Sequence, residues 1–525
     1  MSITDSRPHA VTLNDDIIRE ILGYLAISTG PIQTSSINLD EDMKTSRKFL
    51  YNSALVSRAF TSAALDLLWR TMSSIQPLMK LLPMVRREWL SGHYYHSVTH
   101  NARELDPGLN RFIHYAEKVQ VFCYSAQDGP DLGLGWMFFH TLKGHPETPS
   151  PLLPKLQTLY VSSLSADGDH AVLFNILSTS LRFVRVCSWA GSHPQTIRAF
   201  MTCLLTQAHD LHHFQVDDQD KMPLSIQNQV LSFRKLRNLR LTSLDRDIYW
   251  PTCALDELPN LMSLTLDIPS ERPMPGSRIP CRSMEILFIT SPFPLLLKLL
   301  NALESPNICE VHLNSSGISY TEGDAPLINA VAKWSSCLLS LTITTESFPP
   351  KIFRSAHWPL VRLEHLQVLQ VRAGGQIPDL SEMDCWELAR SFPNIRNLSY
   401  PLSCLVSFGT LLTLVFLCPN LHFLQVGVDT ASPVDVFETT PVFPNNLQTI
   451  SVGDTTVNDH FVLTRSLMTS FPNLTDIISP SPTWNSVNDL LRFVRSFNRA
   501  KSQTISDEDS RKVRNKILST DECLL

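Results

Sequence analysis

The chain has 525 residues, 43% of them hydrophobic and 18% charged, with a net charge of -6 and a pI near 6.3. That length and apolar content suit either several compact domains or one repeat array that grows without a single centre. The acidic balance argues against nucleic acid as a partner, because a large nucleic-acid footprint needs a basic surface.

The 11 cysteines include no C-x-x-C pair and are odd in number, which favours reduced thiols over a disulfide framework. No basic and then apolar leader opens the sequence, since residues 1–7 run straight into an amphipathic segment. The longest apolar run, 405–418, is shorter than the roughly 20 residues that cross a bilayer and reads as a buried helix. The expectation is a cytoplasmic or nuclear chain with no membrane partner.

In chain order, residues 13–25 form an amphipathic helix: Asn14 can cap it, Asp15 and Asp16 fill its first turn, and Ile17, Ile21 and Leu25 line one face. A loop-like stretch follows at 28–42, with Gly30 and Pro31, and helical patterning resumes over 45–70. Periodicity by itself allows Ile17, Ile21, Leu55, Val56, Phe60 and Trp69 to pack against the following helices or to face a partner.

The residues Leu13, Ile17-Ile18, Ile21-Leu22 and Leu25, then Ala54-Leu55-Val56-Ser57-Arg58-Ala59-Phe60 and Leu68-Trp69-Arg70, resemble an F-box in the form common in fungal F-box proteins. The resemblance runs to about residue 85. It implies a three-helix module too small for a sufficient core of its own, docking its apolar face on a Skp-type adaptor and, through it, on a cullin. Leu13, Ile17, Ile21, Leu25, Leu55, Val56, Phe60 and Trp69 are then the expected adaptor-binding residues.

Residues 74–89 continue a helical pattern ending at Arg86-Arg87, which suits a rigid join. His93, Tyr94, Tyr95, His96 and His100 cluster beyond it without the spacing expected of zinc ligands, so no metal is expected. Val119-Gln120-Val121 reads as an opening strand, and 128–150 as a Gly/Pro-rich loop.

From residue 151 the leucine-rich frame L-x-x-L-x-L recurs at intervals of about 23 to 30 residues. Its triplets are Leu156/Leu159/Val161, Leu181/Val184/Val186, Leu211/Phe214/Val216, Leu236/Leu239/Leu241, Leu261/Leu264/Leu266, Met284/Leu287/Ile289 and Ile308/Val311/Leu313. Leu338/Leu341/Ile343, Leu366/Leu369/Val371, Ile395/Leu398/Tyr400, Leu421/Leu424/Val426 and Leu447/Ile450/Val452 follow, with Leu474/Ile477 a decayed last copy. One such match is cheap by chance, but about a dozen in phase are not.

Helical segments such as 196–205 and 295–303 separate these strands, and Pro-Asn pairs at 259–260, 306–307, 393–394, 419–420 and 472–473 stop a segment before the next anchor. The asparagine usual after the third anchor is mostly missing, so the turn must satisfy its backbone otherwise. Cys253, Cys281, Cys309 and Cys337 are evenly spaced but differ in offset from their anchors and would not stack. Near the C-terminus, Leu490, Leu491, Val494 and Phe497 mark a capping helix, and residues after 501 a solvated tail.

The expected fold is therefore α/β: an N-terminal three-helix F-box, then an irregular leucine-rich-repeat solenoid with a parallel sheet on its concave face and helices on its convex face. The expected boundaries are 1–72 for the F-box with its extension, 73–150 for a connector and first strand, 151–484 for the repeats, and 485–525 for the capping helix and tail. Side chains between the second and third anchors should stack about 4.8 Å apart on the concave face. Tyr160, Arg185, Arg240 and Phe288 in that column have the composition of a binding hot spot for a target protein.

No G-x-S-x-G, P-loop or H-E-x-x-H motif is present, and Gly133-Leu134-Gly135 lacks the context of a dinucleotide site. His212 and His213 straddle a strand and would point to opposite faces. The expectation is no catalytic residue, no cofactor and no enzyme activity. The resemblance implies a substrate-recognition subunit of an SCF ubiquitin ligase, with a repeat scaffold lacking ligase recruitment or an unrecognised hydrolase as the alternatives.

Overall fold

The structure, a computed structural model, describes residues 15–25, 39–83, 85–90, 93–98, 106–125, 139, 142–164, 170–189, 192–217, 224–242, 255, 257–268, 278–315, 325–345, 363–373, 381–430 and 445–497. The chain divides into two compact units, Met1–Leu261 and Met262–Leu525.

The first unit opens with three helices, α1 (Asp15–Leu25), α2 (Leu39–Val56) and α3 (Arg58–Arg70). Ile18, Leu22, Leu50, Ala63 and Ala64 are their buried core, with Ala54, Phe60, Leu67 and Leu68 packed against it. The break between α2 and α3 is Ser57, in extended conformation, and the Thr61 hydroxyl donates across it to the Ala54 carbonyl at 2.8 Å.

Helix α3 runs directly into the short strand Thr71–Met72, the first of six parallel strands in this unit. Val121–Tyr124, Thr158–Val161, Phe183–Val186, His213–Val216 and Asn238–Leu241 follow in that order, each paired with its predecessor. The frame thus begins one repeat earlier than expected, because Val119, Phe122 and Tyr124 are buried as a first triplet and Phe122 is in register with Leu159.

The helix expected over 74–89 is largely absent. Only Gln76–Met79 is helical, and Val85–Leu90 pairs antiparallel with His93–Val98. Valine, tryptophan and tyrosine in these segments favour strand.

Among the described residues of the second unit, nine strands of its long parallel sheet run in chain order: Ser263–Asp267, Ile286–Ser291, Glu310–Ser315, Ser340–Thr345, Val368–Ala373, Asn397–Ser399, Phe423–Gln425, Thr449–Ser451 and Asp476–Ile478. Their second anchors lie in one register line, Leu264, Leu287, Val311, Leu341, Leu369, Leu398, Leu424, Ile450 and Ile477. No anchor of the expected triplets, in either unit, is more than 5% exposed.

Backbone bonds carry the repeat outside the strands. Within each unit, residues that follow a first anchor donate to their counterparts one repeat back, as in Arg182 to Gln157, His212 to Arg182, Cys309 to Glu285, Arg396 to Gln367 and Thr475 to Gln448, at 2.7–2.9 Å. The Pro-Asn pairs do more than stop a segment. Asn260, Asn307 and Asn394 each donate a side-chain amide to the carbonyl of Arg234, Arg282 and Glu364 in the preceding repeat, at 3.0, 2.9 and 2.7 Å. Asn446 and Asn473 do the same to Pro419 and Asn445. The asparagine ladder is therefore present, placed just before the first anchor instead of after the third, where it satisfies carbonyls the turns would otherwise strand.

Between strands, helices bury one stripe each: Ile197, Phe200, Met201 and Leu204 in Pro194–Gln207, and Leu295, Leu296, Leu299 and Leu300 in Phe293–Ala302. The apolar run 405–418 splits into a strand, Leu405–Ser407, and a helix, Phe408–Leu417, whose N-terminus Ser407 caps by accepting from the Thr410 amide. Among the described residues no helix is long and apolar enough to cross a membrane.

The last helix spans 482–497 and closes the edge of Asp476–Ile478. Its buried stripe is Trp484, Val487 and Leu491, while the Asn488 side chain accepts from the Ile477 amide at 3.1 Å and Arg492 pairs with Asp476. This edge bond does the work of a cap. Phe497, expected in the stripe, is exposed because the stripe begins at Trp484, earlier than the pattern suggested. The tail beyond 497 lies outside the described residues.

Candidate functional site

Two surfaces stand out, one on the N-terminal helices and one on the sheet of the first unit. On α1, Ile18 and Leu22 turn into the core, which leaves Ile17 and Ile21 half exposed and Tyr24 82% exposed. At the end of α2, Leu55 and Val56 are 69% and 75% exposed, and Phe49 and Tyr51 are exposed as well. Apolar side chains left uncovered this way on a small module are what a partner's groove would bury. Tyr24, Phe49 and Tyr51 were not singled out in the sequence, although Tyr24 lies three residues from Ile21 on a helix.

The other expected adaptor residues lie differently. Phe60 packs against the helical core, and Trp69 is partly buried, stacked on Tyr115 with ring centroids 4.4 Å apart. Leu13 lies outside the described residues, and Leu25 ends α1.

Trp69 belongs to a tight join between helices and repeats. Asp66 of α3 pairs with Lys118 and, at 3.4 Å, with Arg19 of α1. Arg47 of α2 donates to the Thr71 carbonyl at 3.0 Å, and burial lowers the pKa of its guanidinium. The Gln120 amide donates to the Arg70 carbonyl at 2.9 Å. The join expected from a long helix is made instead by α3 passing straight into the sheet.

On the sheet face away from the anchors, Arg185, Gln215 and Arg240 occupy matched positions of three adjacent strands. Asp217 gathers all three: Arg185 Nε lies 2.5 Å and Arg240 Nε 3.1 Å from its carboxylate, and the Gln215 amide donates to both its oxygens. Arg185 is only 13% exposed while Arg240 is 49% exposed, so Arg240 offers the more open guanidinium.

Tyr160, expected as an exposed contact, is instead buried at 7%, its ring 5.5 Å from that of Phe183, and burial pushes its phenol pKa up. A large flat ring between neighbouring strands is covered by the next strand's aromatic side chain. In the second unit Phe288 lies flat on His312, with centroids 4.0 Å apart and planes at 8°, and His312 Nε2 is 2.6 Å from Glu310. Much of its ring face is thereby taken.

His212 and His213 are both partly buried, and both have lowered pKa values, first by burial and then by charged or ring neighbours: Arg182 for His212, and His212 for His213. The Asn238 amide nitrogen lies 2.7 Å from His213 Nδ1. Among the described residues no group of three or more His, Cys, Asp and Glu could hold a metal ion.

No protein-family model matches the sequence, and no curated protein matches it. Among solved structures the chain is similar to one chain of the crystal structure of the Rad7 and Elc1 complex in yeast. The two are 15% identical with a TM-score of 0.34, over 86% of this chain and 94% of that one. At that level of agreement the functional reading has to stand on the chain's own residues.

Proposed function

We propose that this chain is the substrate-recognition subunit of an SCF ubiquitin ligase, working in the cytoplasm or nucleus. In this reading α1 and the end of α2 dock on a Skp-type adaptor, which connects to a cullin, and the repeats hold a target protein. The chain does no chemistry itself. It promotes ubiquitin transfer by holding the target near the ligase, the gain that comes from fixing two reactants together.

The observation that carries this reading is the split use of apolar residues on the helices. Ile18, Leu22, Leu50, Ala63 and Ala64 complete the internal core, while Ile17, Ile21, Leu55 and Val56 remain exposed in addition to it. A module that merely packed on the repeats would have no use for that second set. The join through Asp66, Lys118 and the Trp69–Tyr115 stack supports it further, because delivery by proximity requires that the docking module and the target-binding sheet keep a set orientation.

The test is capture of the purified adaptor by the wild-type chain and by the double variant Ile17→Asp, Ile21→Asp. Charge on a face that must be buried costs roughly 2 kcal/mol or more per site, so capture should be lost while the circular dichroism melt of the repeats is unchanged. Equal capture by a folded double variant refutes the docking face. A wild-type chain that captures target but no adaptor would instead identify a repeat scaffold without ligase recruitment.

A further inference from the structure

Two segments of the first unit share the pattern Arg-x-x-Arg: Arg182-Phe183-Val184-Arg185 and Arg237-Asn238-Leu239-Arg240. Their strands flank His213–Val216 on either side. The His212 amide donates to the Arg182 carbonyl, and the Arg237 amide to the His212 carbonyl, at 2.9 and 2.8 Å, so Arg182, His212 and Arg237 form one row. Arg185, Gln215 and Arg240 form a second row in register. With strands about 4.8 Å apart and a rise of about 3.3 Å per residue, the four arginine backbones mark a rectangle about 10 Å on each side.

The charges around it do not balance. Asp210 pairs with Lys235 and also feels the charge of Arg182, and Asp217 is shared by Arg185, Arg240 and the Gln215 amide. Arg182 and Arg237 are exposed, and no carboxylate among the described residues forms an ion pair with either. His212 within the first row and His213 beside it add no countercharge, and the pKa of His212 is lowered by burial and then by the positive field of Arg182 and Arg237, against an opposing pull from Asp210. Asp217 also holds Arg185 and Arg240 in fixed positions before any ligand arrives, which lowers the ordering cost of binding.

We propose that this arginine rectangle is the seat of the target's recognition segment, and that the segment is an extended stretch of protein rich in Asp and Glu. The proposal rests on the reading that the repeats hold a protein target, and it names the chemistry of that target. Arg182 and Arg237 take carboxylates through their forked guanidinium donors, and the open edge of Arg240 takes a further one. Carboxylates two or three residues apart on an extended chain span about 7 to 10 Å, the dimension of the rectangle. A nucleic acid fits less well, because a net charge of -6 works against the broad basic footprint it needs.

The experiment is fluorescence anisotropy with the full chain and three labelled probes of equal length: a Glu-rich peptide, the same peptide with Gln at every Glu, and oligouridylate. The Glu peptide should bind at low salt and weaken as salt is raised, and the Gln peptide should not bind. The variant Arg182→Glu, Arg237→Glu should lose at least about tenfold in affinity for the Glu peptide, with its thermal melt unchanged. Should that variant fail to fold, Arg182→Gln, Arg237→Gln removes the charge more gently and should show the same loss.

Equal binding of the Glu and Gln peptides, tighter binding of the RNA than of the peptide, or full affinity in a folded double variant each overturns the proposal. Adaptor capture is measured on the same samples. Its failure with intact peptide binding counts against the ligase reading and leaves the acidic ligand standing, whereas failure of peptide binding with intact adaptor capture does the reverse.

Discussion

Ile21 in α1 and Leu341 in the Ser340–Thr345 strand are both large aliphatic residues at periodic positions, yet Ile21 is half exposed and Leu341 is fully buried. The difference lies in what the chain places beside them. Each repeat brings a copy of its own anchor alongside, so Leu341 meets Val311 on one side and Leu369 on the other. The three-helix module has no next copy, and its small core is filled by Ile18, Leu22, Leu50, Ala63 and Ala64. Repetition therefore consumes apolar surface, and its absence leaves some for a partner.

Three substitutions test this contrast. The largest effect belongs to Leu341→Ala, which removes a fully buried side chain between two neighbours that cannot collapse independently. Denaturant unfolding of the second unit should show a loss of about 2–5 kcal/mol. A loss below about 1 kcal/mol would mean the register line of anchors is not a tightly packed core.

Asn394→Ala comes next. It deletes the amide that donates to Glu364 at 2.7 Å and leaves that carbonyl without its side-chain donor, at a cost of about 1 kcal/mol. Hydrogen exchange should speed up around 364–369 and 395–399 before it does elsewhere. Unchanged exchange in both segments would reduce the ladder to decoration.

Leu55→Ala has the smallest effect on stability and the sharpest meaning. An exposed site outside the core should shift unfolding by no more than about 0.5 kcal/mol. A loss of 2 kcal/mol or more would show that Leu55 serves the fold and would erase the difference between module and repeats.

Much of the repeat architecture was legible because it is periodic. The triplets from Leu156 to Ile477 mark the strands and their mutual register, since a parallel neighbour must place like anchors side by side to bury them. The opening strand was legible at 119–121, but the triplet Val119/Phe122/Tyr124 was not, because its first two anchors are a valine and a phenylalanine and the next copy follows 37 residues on, outside the usual spacing. The strand Val85–Leu90 falls almost wholly within the span expected to be helical, 74–89, because its apolar residues fit either period over so short a length.

The candidate sites were less legible. Residues 17–25 carry Ile17, Ile18, Ile21, Leu22 and Leu25, an apolar arc too wide to say which part turns inward, and only the packing of α1 on α2 and α3 selects Ile18 and Leu22. Tyr160 and Arg185 occupy equivalent repeat positions, but Phe183 covers the first and Asp217 binds the second. Asp217 is 32 residues from Arg185 in sequence, and no local pattern links them.

By itself, then, the sequence determined the repeating strand, its buried anchors and the Pro-Asn pairs that stop several segments, because those depend on side-chain period and on chemistry within a few residues. Only the tertiary structure decided which apolar side chains stay exposed, where the ladder asparagines donate and how two arginines and a glutamine share one carboxylate. Those outcomes depend on which residue of another repeat or helix arrives within about 4 Å, a distance that folding sets and local spacing does not encode.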